Sequence, residues 1–119
     1  MKIRIKGNSL RYRLTKSDID CFSNNGYIEE TICFGNQKLV YALQHYNGDA
    51  LTADFNDQKI VLYVPVAIAE EWTTTDRVGF ENNNSSLYLL IEKDFKCLDN
   101  VAEDQSDNYP NPLAGALSK

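Results

Sequence analysis

The chain has 119 residues, of which 43% are hydrophobic and 24% charged, and its formal net charge is −5. This length suits one domain, and the composition excludes a wholly disordered chain. The first residues lead into no signal peptide, and no apolar run approaches the roughly 20 residues that span a bilayer. We therefore expect a cytoplasmic protein with no membrane partner.

The first half of the chain predicts two hairpins around one helix. Residues 2–6 and 10–14 alternate between polar and apolar, with turn residues between them. Thr15, followed three residues later by Asp18, predicts a helix N-cap, and the helix turns Ile19 and Phe22 to one face before it ends at 24–26. Residues 27–34 and 39–46 then predict two more strands.

The second half repeats this order. Strands are predicted at 51–55, 60–64, 77–81 and 87–92, and Pro65 is predicted as the first residue of a second helix. Residues 2–31 lie over 52–81 at a constant spacing of fifty, which places Phe22 on Trp72 and Ile28 on Val78. The aligned pairs share almost no identical residues, so two independent units with the same order of elements remain an alternative.

These elements predict a mainly β fold of the α+β class. We expect a small barrel of about eight strands and two short helices, built from two tandem ββαββ units with a pseudo-twofold relation. The duplicated domain covers 1–93, with copies at 1–46 and 51–92, and an acidic, proline-containing tail covers 94–119.

The charge of the chain is unevenly distributed. Six cations precede the first acid, Asp18, and the rest of the chain is strongly acidic. Because side chains alternate across a strand, five of the six share one face of the first hairpin. This face either contacts an anion or is a solvated edge that discourages aggregation. The five residues are Lys2, Arg4, Lys6, Arg11 and Arg13.

The stretch around Pro65 resembles the core of the AbrB/MazE-type swapped-hairpin barrel. In that family a strand ends in an aliphatic–proline pair, and apolar residues follow three and seven positions after the proline. Val64-Pro65, Ile68 and Trp72 match this pattern, followed by a turn at Asp76 and a third strand. In the first unit Thr15 replaces the proline. Double-psi barrels are an alternative for the strand order, and the whole chain also resembles a bacterial family without an assigned function.

The resemblance implies a dimer of barrel halves fused into one chain, with the first hairpin facing DNA phosphates. The positions carried over for this contact are Arg4, Lys6, Arg11 and Arg13. The second unit has Asp54, Asn56, Val61 and Tyr63 at the equivalent positions, so we do not expect a symmetric DNA site.

No metal site, cofactor or catalytic centre is predicted. Cys21, Cys33, Cys97 and His45 are widely spaced, whereas zinc sites usually contain a close ligand pair. We expect buried free thiols and an imidazole at the surface. No nucleophile motif or phosphate loop occurs in the sequence, so an enzyme is not expected.

A second interaction surface is predicted on the hairpin 51–64. Val61 and Tyr63 point outward there, on a strand that is apolar on both sides and therefore expected to be covered. The cover is either the tail, through Tyr109 and Leu113, or a partner protein. MazE-like antitoxins hold a toxin with an acidic tail, and the resemblance extends this possibility to the present tail.

The sequence therefore predicts a non-enzymatic binding domain that contacts a nucleic acid or another polyanion through the basic hairpin. The alternative is a protein-interaction module, antitoxin-like or an adaptor, that uses the acidic tail or the hairpin 51–64. The sequence carries no prediction of the oligomeric state.

Overall fold

The computed structural model describes residues 1–95. Within this range two helices and eight strands follow one another in the order ββαββ–ββαββ. The first unit contains β1 (Lys2–Ile5), β2 (Ser9–Leu14), α1 (Lys16–Asn25), β3 (Tyr27–Cys33) and β4 (Lys38–Tyr46). The second contains β5 (Thr52–Asn56), β6 (Lys59–Pro65), α2 (Val66–Thr74), β7 (Gly79–Asn82) and β8 (Tyr88–Lys93).

The strands form two four-stranded sheets. The first sheet has the order β1-β2-β8-β7 and the second has the order β3-β4-β6-β5. The outer pairs are antiparallel hairpins, whereas the central pairs, β2 with β8 and β4 with β6, are parallel. Each sheet thus joins the first hairpin of one unit to the second hairpin of the other. The predicted mainly β class, with about eight strands and two short helices, is confirmed, and the matching strand orders of the two sheets agree with the pseudo-twofold relation.

The strand register repeats between the units. Ile3 lies opposite Tyr12, and fifty residues later Ala53 lies opposite Leu62. In the parallel pairs Tyr12 lies beside Ile91, and Leu62 lies beside Leu43. The second hairpins are therefore related by a spacing of forty-eight residues at β4 and β8.

One predicted equivalence is wrong. Ile28 lies opposite Leu43, and the residue opposite Ile91, which takes the place of Leu43, is Phe80 rather than Val78. Two extra residues between α2 and β7 cause this shift. As a result Val78 is exposed, whereas Phe80 packs against the core at the position of Ile28.

Local sequence accounts for the limits of both helices. The Thr15 side chain accepts the N–H of Asp18, and the Asp18 carboxylate accepts the N–H of Thr15, as the predicted N-cap requires. Gly26 ends α1 in the left-handed conformation, with φ 70°, and donates its N–H to the Phe22 carbonyl. Pro65 was expected inside α2, but it is the N-cap and also the last residue of β6.

The two helices close one end of the space between the sheets. Phe22 of α1 and Trp72 of α2 are fully buried and meet edge to face, with ring centroids 6.3 Å apart. Trp72 also donates its indole N–H to the Val78 carbonyl at 2.9 Å. Within residues 1–95 neither helix has the length or the apolar character to cross a membrane.

The N-terminal amine is held between the first helix and the second sheet. Its nitrogen lies 2.8 Å from an Asp18 carboxylate oxygen and 3.2 Å from one of Glu30. Burial opposes the charge of the amine, but the bonds to these two carboxylates outweigh it and raise the amine pKa above its ordinary value. Burial likewise opposes the charge of Asp18, yet the amine and Thr15 together lower the pKa of Asp18.

Candidate anion-binding site

The five predicted cations lie on the outward side of the first sheet, which we call the basic face. Lys2 lies opposite Arg13 and Arg4 lies opposite Arg11 across the first hairpin, and Lys6 follows in the turn. The side chains one position along, such as Leu10 and Tyr12, are buried between the sheets. The alternation of a strand therefore separates the charged face from the core, as the sequence indicated.

Three of these cations are paired with acids. Glu92 of β8 lies beside Arg13 in the parallel pair and accepts from its guanidinium at 3.1 and 3.3 Å. The same carboxylate is 3.6 Å from Nε of Arg11. Lys2 forms an ion pair with Asp94 at 3.2 Å.

Arg4 and Lys6 differ from the other three. Neither forms an ion pair with any residue of 1–95, and both are exposed. The basic face therefore has a partly neutralised end beside Glu92 and a fully charged end beside the turn 6–9. An anion would be attracted to the charged end.

A small cavity lies at this charged end. Its volume is about 110 Å³, and it is lined by Arg4, Lys6, Ser9, Arg11 and Tyr88. At ~30 Å³ for each water, this is room for about three to four waters, or for one tetrahedral anion. Three cationic side chains therefore border a space in which phosphate oxygens could accept several hydrogen bonds.

Two lining residues were missed from the sequence. Ser9 donates its hydroxyl to the Lys6 carbonyl at 2.6 Å and steadies the turn. Tyr88 donates its hydroxyl to Glu81 at 2.5 Å, and this bond is the main cause that raises the pKa of Tyr88. Tyr88 reaches the cavity because β8 pairs in parallel with β2, from a distant part of the chain. In the sequence, Tyr88 could have been recognised as a lining residue only from its outward position on β8.

The outward side of the second sheet carries the other predicted surface. Val61 is only 8% exposed and Tyr63 is half-buried. Tyr27, Glu29 and Lys59 form a small network on this face: the tyrosine hydroxyl donates to Glu29, and Lys59 lies 3.7 Å from the same carboxylate and 4.9 Å from the centre of the tyrosine ring. Tyr109 and Leu113, the predicted cover, lie outside the described residues.

The expectation of buried thiols is wrong for the two cysteines that the structure describes, and the imidazole expected at the surface belongs to a residue that is only partly exposed. Cys21 and Cys33 are exposed, because they lie on the outer side of α1 and at the end of the edge strand β3. The rings of His45 and Phe22 pack with their centroids 4.5 Å apart, and the buried Nε2 of His45 has no hydrogen-bond partner among residues 1–95. Burial lowers the pKa of His45. Among residues 1–95 no three acidic, cysteine or histidine side chains come together as metal ligands, and Cys97 lies beyond this range.

Comparisons with known proteins place the chain in a family but leave its activity open. No curated protein matches it. No solved structure matches it either. A match to a family of unknown function, DUF7009, extends over residues 1–113, and the chain belongs to this family.

Proposed function

We propose that the protein is a non-enzymatic binding domain that contacts a nucleic acid through the basic face. The observation that carries this proposal is the convergence of Arg4, Lys6 and Arg11 on one cavity. Two of these side chains have no acidic partner within residues 1–95, so their charge is available to a ligand. Arginine suits this contact because its guanidinium can donate two parallel hydrogen bonds to one phosphate.

The shape of the basic face favours an extended ligand. Outward residues on one strand lie about 7 Å apart, and neighbouring strands lie about 4.8 Å apart. The cations of β1 and β2 therefore form two adjacent rows that continue from the cavity toward Arg13. A chain of phosphates could contact the cavity and then follow these rows, whereas a single phosphate would use only the cavity.

The arrangement of the hairpins supports the resemblance to swapped-hairpin barrels. Each first hairpin pairs with the second hairpin of the other unit, which is the exchange that the name of this barrel describes. The second sheet, however, has Asp54 and Val61 at the places of Arg4 and Arg11. We infer that one chain offers one basic face and contacts one stretch of nucleic acid without internal symmetry.

The alternative protein-interaction role of hairpin 51–64 has less support. Val61 is only 8% exposed, which leaves Tyr63 as the more accessible of the two predicted residues. The free and exposed thiols of Cys21 and Cys33 support a reducing compartment such as the cytoplasm.

The proposal is tested by measuring the binding of a fluorescent 20-base-pair DNA duplex, with heparin as a second polyanion. The variant Arg4→Gln/Lys6→Gln/Arg11→Gln removes the cavity cations. We expect its affinity for duplex DNA to fall at least about tenfold at ~50 mM salt. The slope of log affinity against log salt should also fall by about one for each phosphate that the variant no longer binds.

The matched control is Lys16→Gln/Lys38→Gln/Lys93→Gln, which removes three cations outside the basic face. It should bind within about threefold of the unaltered protein, because distant charges are screened over ~10 Å. Equal losses in both variants would show that binding follows net charge and not this site. Absence of binding to both DNA and heparin at low salt would refute the proposal.

The acid Glu92 offers a change in the opposite direction. Glu92→Gln releases Arg11 and Arg13 from their shared carboxylate. We expect tighter DNA binding by about threefold to tenfold, with a steeper dependence on salt, because more cations become available to phosphates. Stability should change by less than about 1 kcal/mol, since partly exposed ion pairs contribute little. Unchanged binding would place the ligand away from these two arginines.

A further inference from the structure

A cleft lined by apolar side chains opens between the two sheets at the end opposite the helices. The central strands β2, β8, β4 and β6 all run from this end toward the helices. The volume of the cleft is about 380 Å³. Its apolar lining includes Ile5, Leu10, Leu39, Phe55, Ile60 and Leu87, and we call this space the apolar cleft.

Both units contribute equivalent residues to the lining of the apolar cleft. Ile5 and Phe55 take equivalent positions fifty residues apart, and they are 60% and 68% exposed. A second cavity of about 340 Å³ shares Leu39 and Phe55 with the cleft and adds Phe34, which is 64% exposed. Exposed apolar side chains gathered at one place are typical of an interaction site rather than of ordinary surface.

The position of Asp94, just after β8, indicates where the C-terminal segment starts. The Asp94 N–H donates to the Leu14 carbonyl at the helix end of the first sheet, and the Asp94 carboxylate pairs with Lys2 on the basic face. From there to the cleft the distance is about the length of β8, or ~20 Å for six residues. The thirteen residues 96–108 can span ~40 Å when extended. The segment 109–113, with the sequence Tyr-Pro-Asn-Pro-Leu, can therefore reach the cleft.

Charge complementarity favours a path along the basic face. Residues 96–108 contain four acids and one lysine, a net charge of −3. The face between Asp94 and the cleft carries five cations, and Arg4 and Lys6 at its cleft end have no acidic partner within residues 1–95. Pro110 and Pro112 favour an extended backbone, which suits a segment that lies in a cleft.

We propose that the C-terminal segment 96–119 docks on its own domain, with its acids on the basic face and with Tyr109 and Leu113 in the apolar cleft. The placement of the acids on the basic face rests on the proposed function, because these carboxylates would pair with the cations that a nucleic acid contacts. The segment is then an internal competitor: tethered to the domain, it is present at an effective concentration of the order of millimolar. A nucleic acid binds tightly only when it displaces the segment.

Docking is measured directly in the full chain by paramagnetic relaxation. A nitroxide is attached at Ala114→Cys, next to the docking residues, in a chain whose three native cysteines are serine. We expect strong broadening of the amide resonances of Ile5 and Phe55, and weaker broadening when Tyr109→Ser/Leu113→Ser is added. Cleft resonances that keep their full intensity would overturn the proposal. Broadening transferred from a labelled chain to an unlabelled, isotope-enriched chain would show a second copy in the cleft and would also overturn it.

Competition is measured with duplex DNA. The full-length variant Asp99→Asn/Glu103→Gln/Asp104→Asn/Asp107→Asn should bind DNA about tenfold more tightly than the unaltered protein. The control Asp49→Asn/Asp57→Asn/Glu70→Gln/Asp76→Asn makes the same change in net charge on exposed residues outside the first sheet, and it should change affinity by less than about threefold.

The two measurements separate the two proposals. Equal DNA affinity in the tail variant and the control would overturn the placement of the acids on the basic face. If no variant binds DNA, the proposed function fails, while the relaxation experiment still decides whether the segment lies in the cleft.

Discussion

On the outward side of the first sheet Arg4 lies opposite Arg11, and at the equivalent place of the second sheet Asp54 lies opposite Val61. On the inward sides the same comparison pairs Ile3 and Tyr12 with Ala53 and Leu62, all of them buried or packed against the core. The inward positions stay apolar in both units because both units fill one core. The outward positions carry no such requirement. Cations are therefore concentrated on the first sheet, whereas the second sheet combines Val61 and Tyr63 with charges of both signs, such as Asp54 and Lys59.

The largest expected effect tests the equivalence of the inward positions. Trp72→Ala and Phe22→Ala each remove a fully buried aromatic side chain from the contact between the helices. Each should lower the free energy of unfolding by about 3 to 5 kcal/mol, measured by urea denaturation. Phe34→Ala, an exposed aromatic, is the control and should cost less than about 1 kcal/mol. A loss of less than about 1 kcal/mol at one of the two helical positions would show that only one helix is essential to the core.

An intermediate effect tests the difference between the outward faces by exchanging residues. Val61→Arg places on the second sheet the side chain that the first sheet has at the equivalent position. Because Val61 is buried between Ala42 and Asp54, we expect a loss of about 2 to 3 kcal/mol in unfolding free energy.

The reciprocal change, Arg11→Val, should alter stability by no more than about 0.5 kcal/mol, because Arg11 is partly exposed and its ion pair is long. Both variants are compared in the same denaturation experiment. Equal costs for the two changes would mean that the outward faces of the two sheets are equally packed.

The smallest expected effect concerns His45 and its equivalent, Lys93. The backbone N–H of His45 donates to the Gly26 carbonyl, and the backbone N–H of Lys93 donates to the Val78 carbonyl at the corresponding place of the second unit. The pKa of His45 is lowered by burial, so the unfolded chain takes up a proton more readily than the folded protein. Stability is therefore complete above pH ~6.5, the ordinary histidine value, and falls as the pH drops below it.

His45→Phe should flatten the dependence of the unfolding free energy on pH between about 7 and 5. Lys93→Met, at the equivalent position of the second unit, is the control. If the pH dependence of His45→Phe matches that of the unaltered protein, the imidazole does not titrate differently in the two states. Asp18, whose pKa is lowered, contributes its own loss of stability at lower pH.

Features that depend on neighbours in sequence were predictable. Thr15 and Asp18 form the capping interaction, Gly26 ends the helix, and the alternation in 2–14 places the cations on one face. The repeat of ββαββ was also readable, because apolar spacing survives when residue identity does not.

Features that depend on distant parts of the chain were not predictable. Tyr88 and Glu92 reach the basic face only through the parallel pairing of β8 with β2, and a pairing between such distant segments leaves no local signal. The two extra residues between α2 and β7 do not differ in type from the turn residues around them. The sequence therefore did not reveal the insertion, and Val78 was wrongly matched to Ile28. Ile5 and Phe55 read as core residues from alternation alone, but both stand at the end where the space between the sheets opens.

The exchange of hairpins between the sheets has a consequence for folding. Neither unit alone forms more than two-stranded ribbons around its helix, and such ribbons are marginally stable in water. Both parallel pairings that join the ribbons bring together segments from different halves of the chain, one of them nearly eighty residues apart in sequence. Closing the longer loop, between β2 and β8, before its contacts stabilise the chain slows folding, and neither half has a complete sheet of its own. The first half therefore stays incomplete during synthesis until the strands of the second half have left the ribosome, and cleavage of the chain between residues 47 and 51 should yield two fragments that fold only by associating with each other.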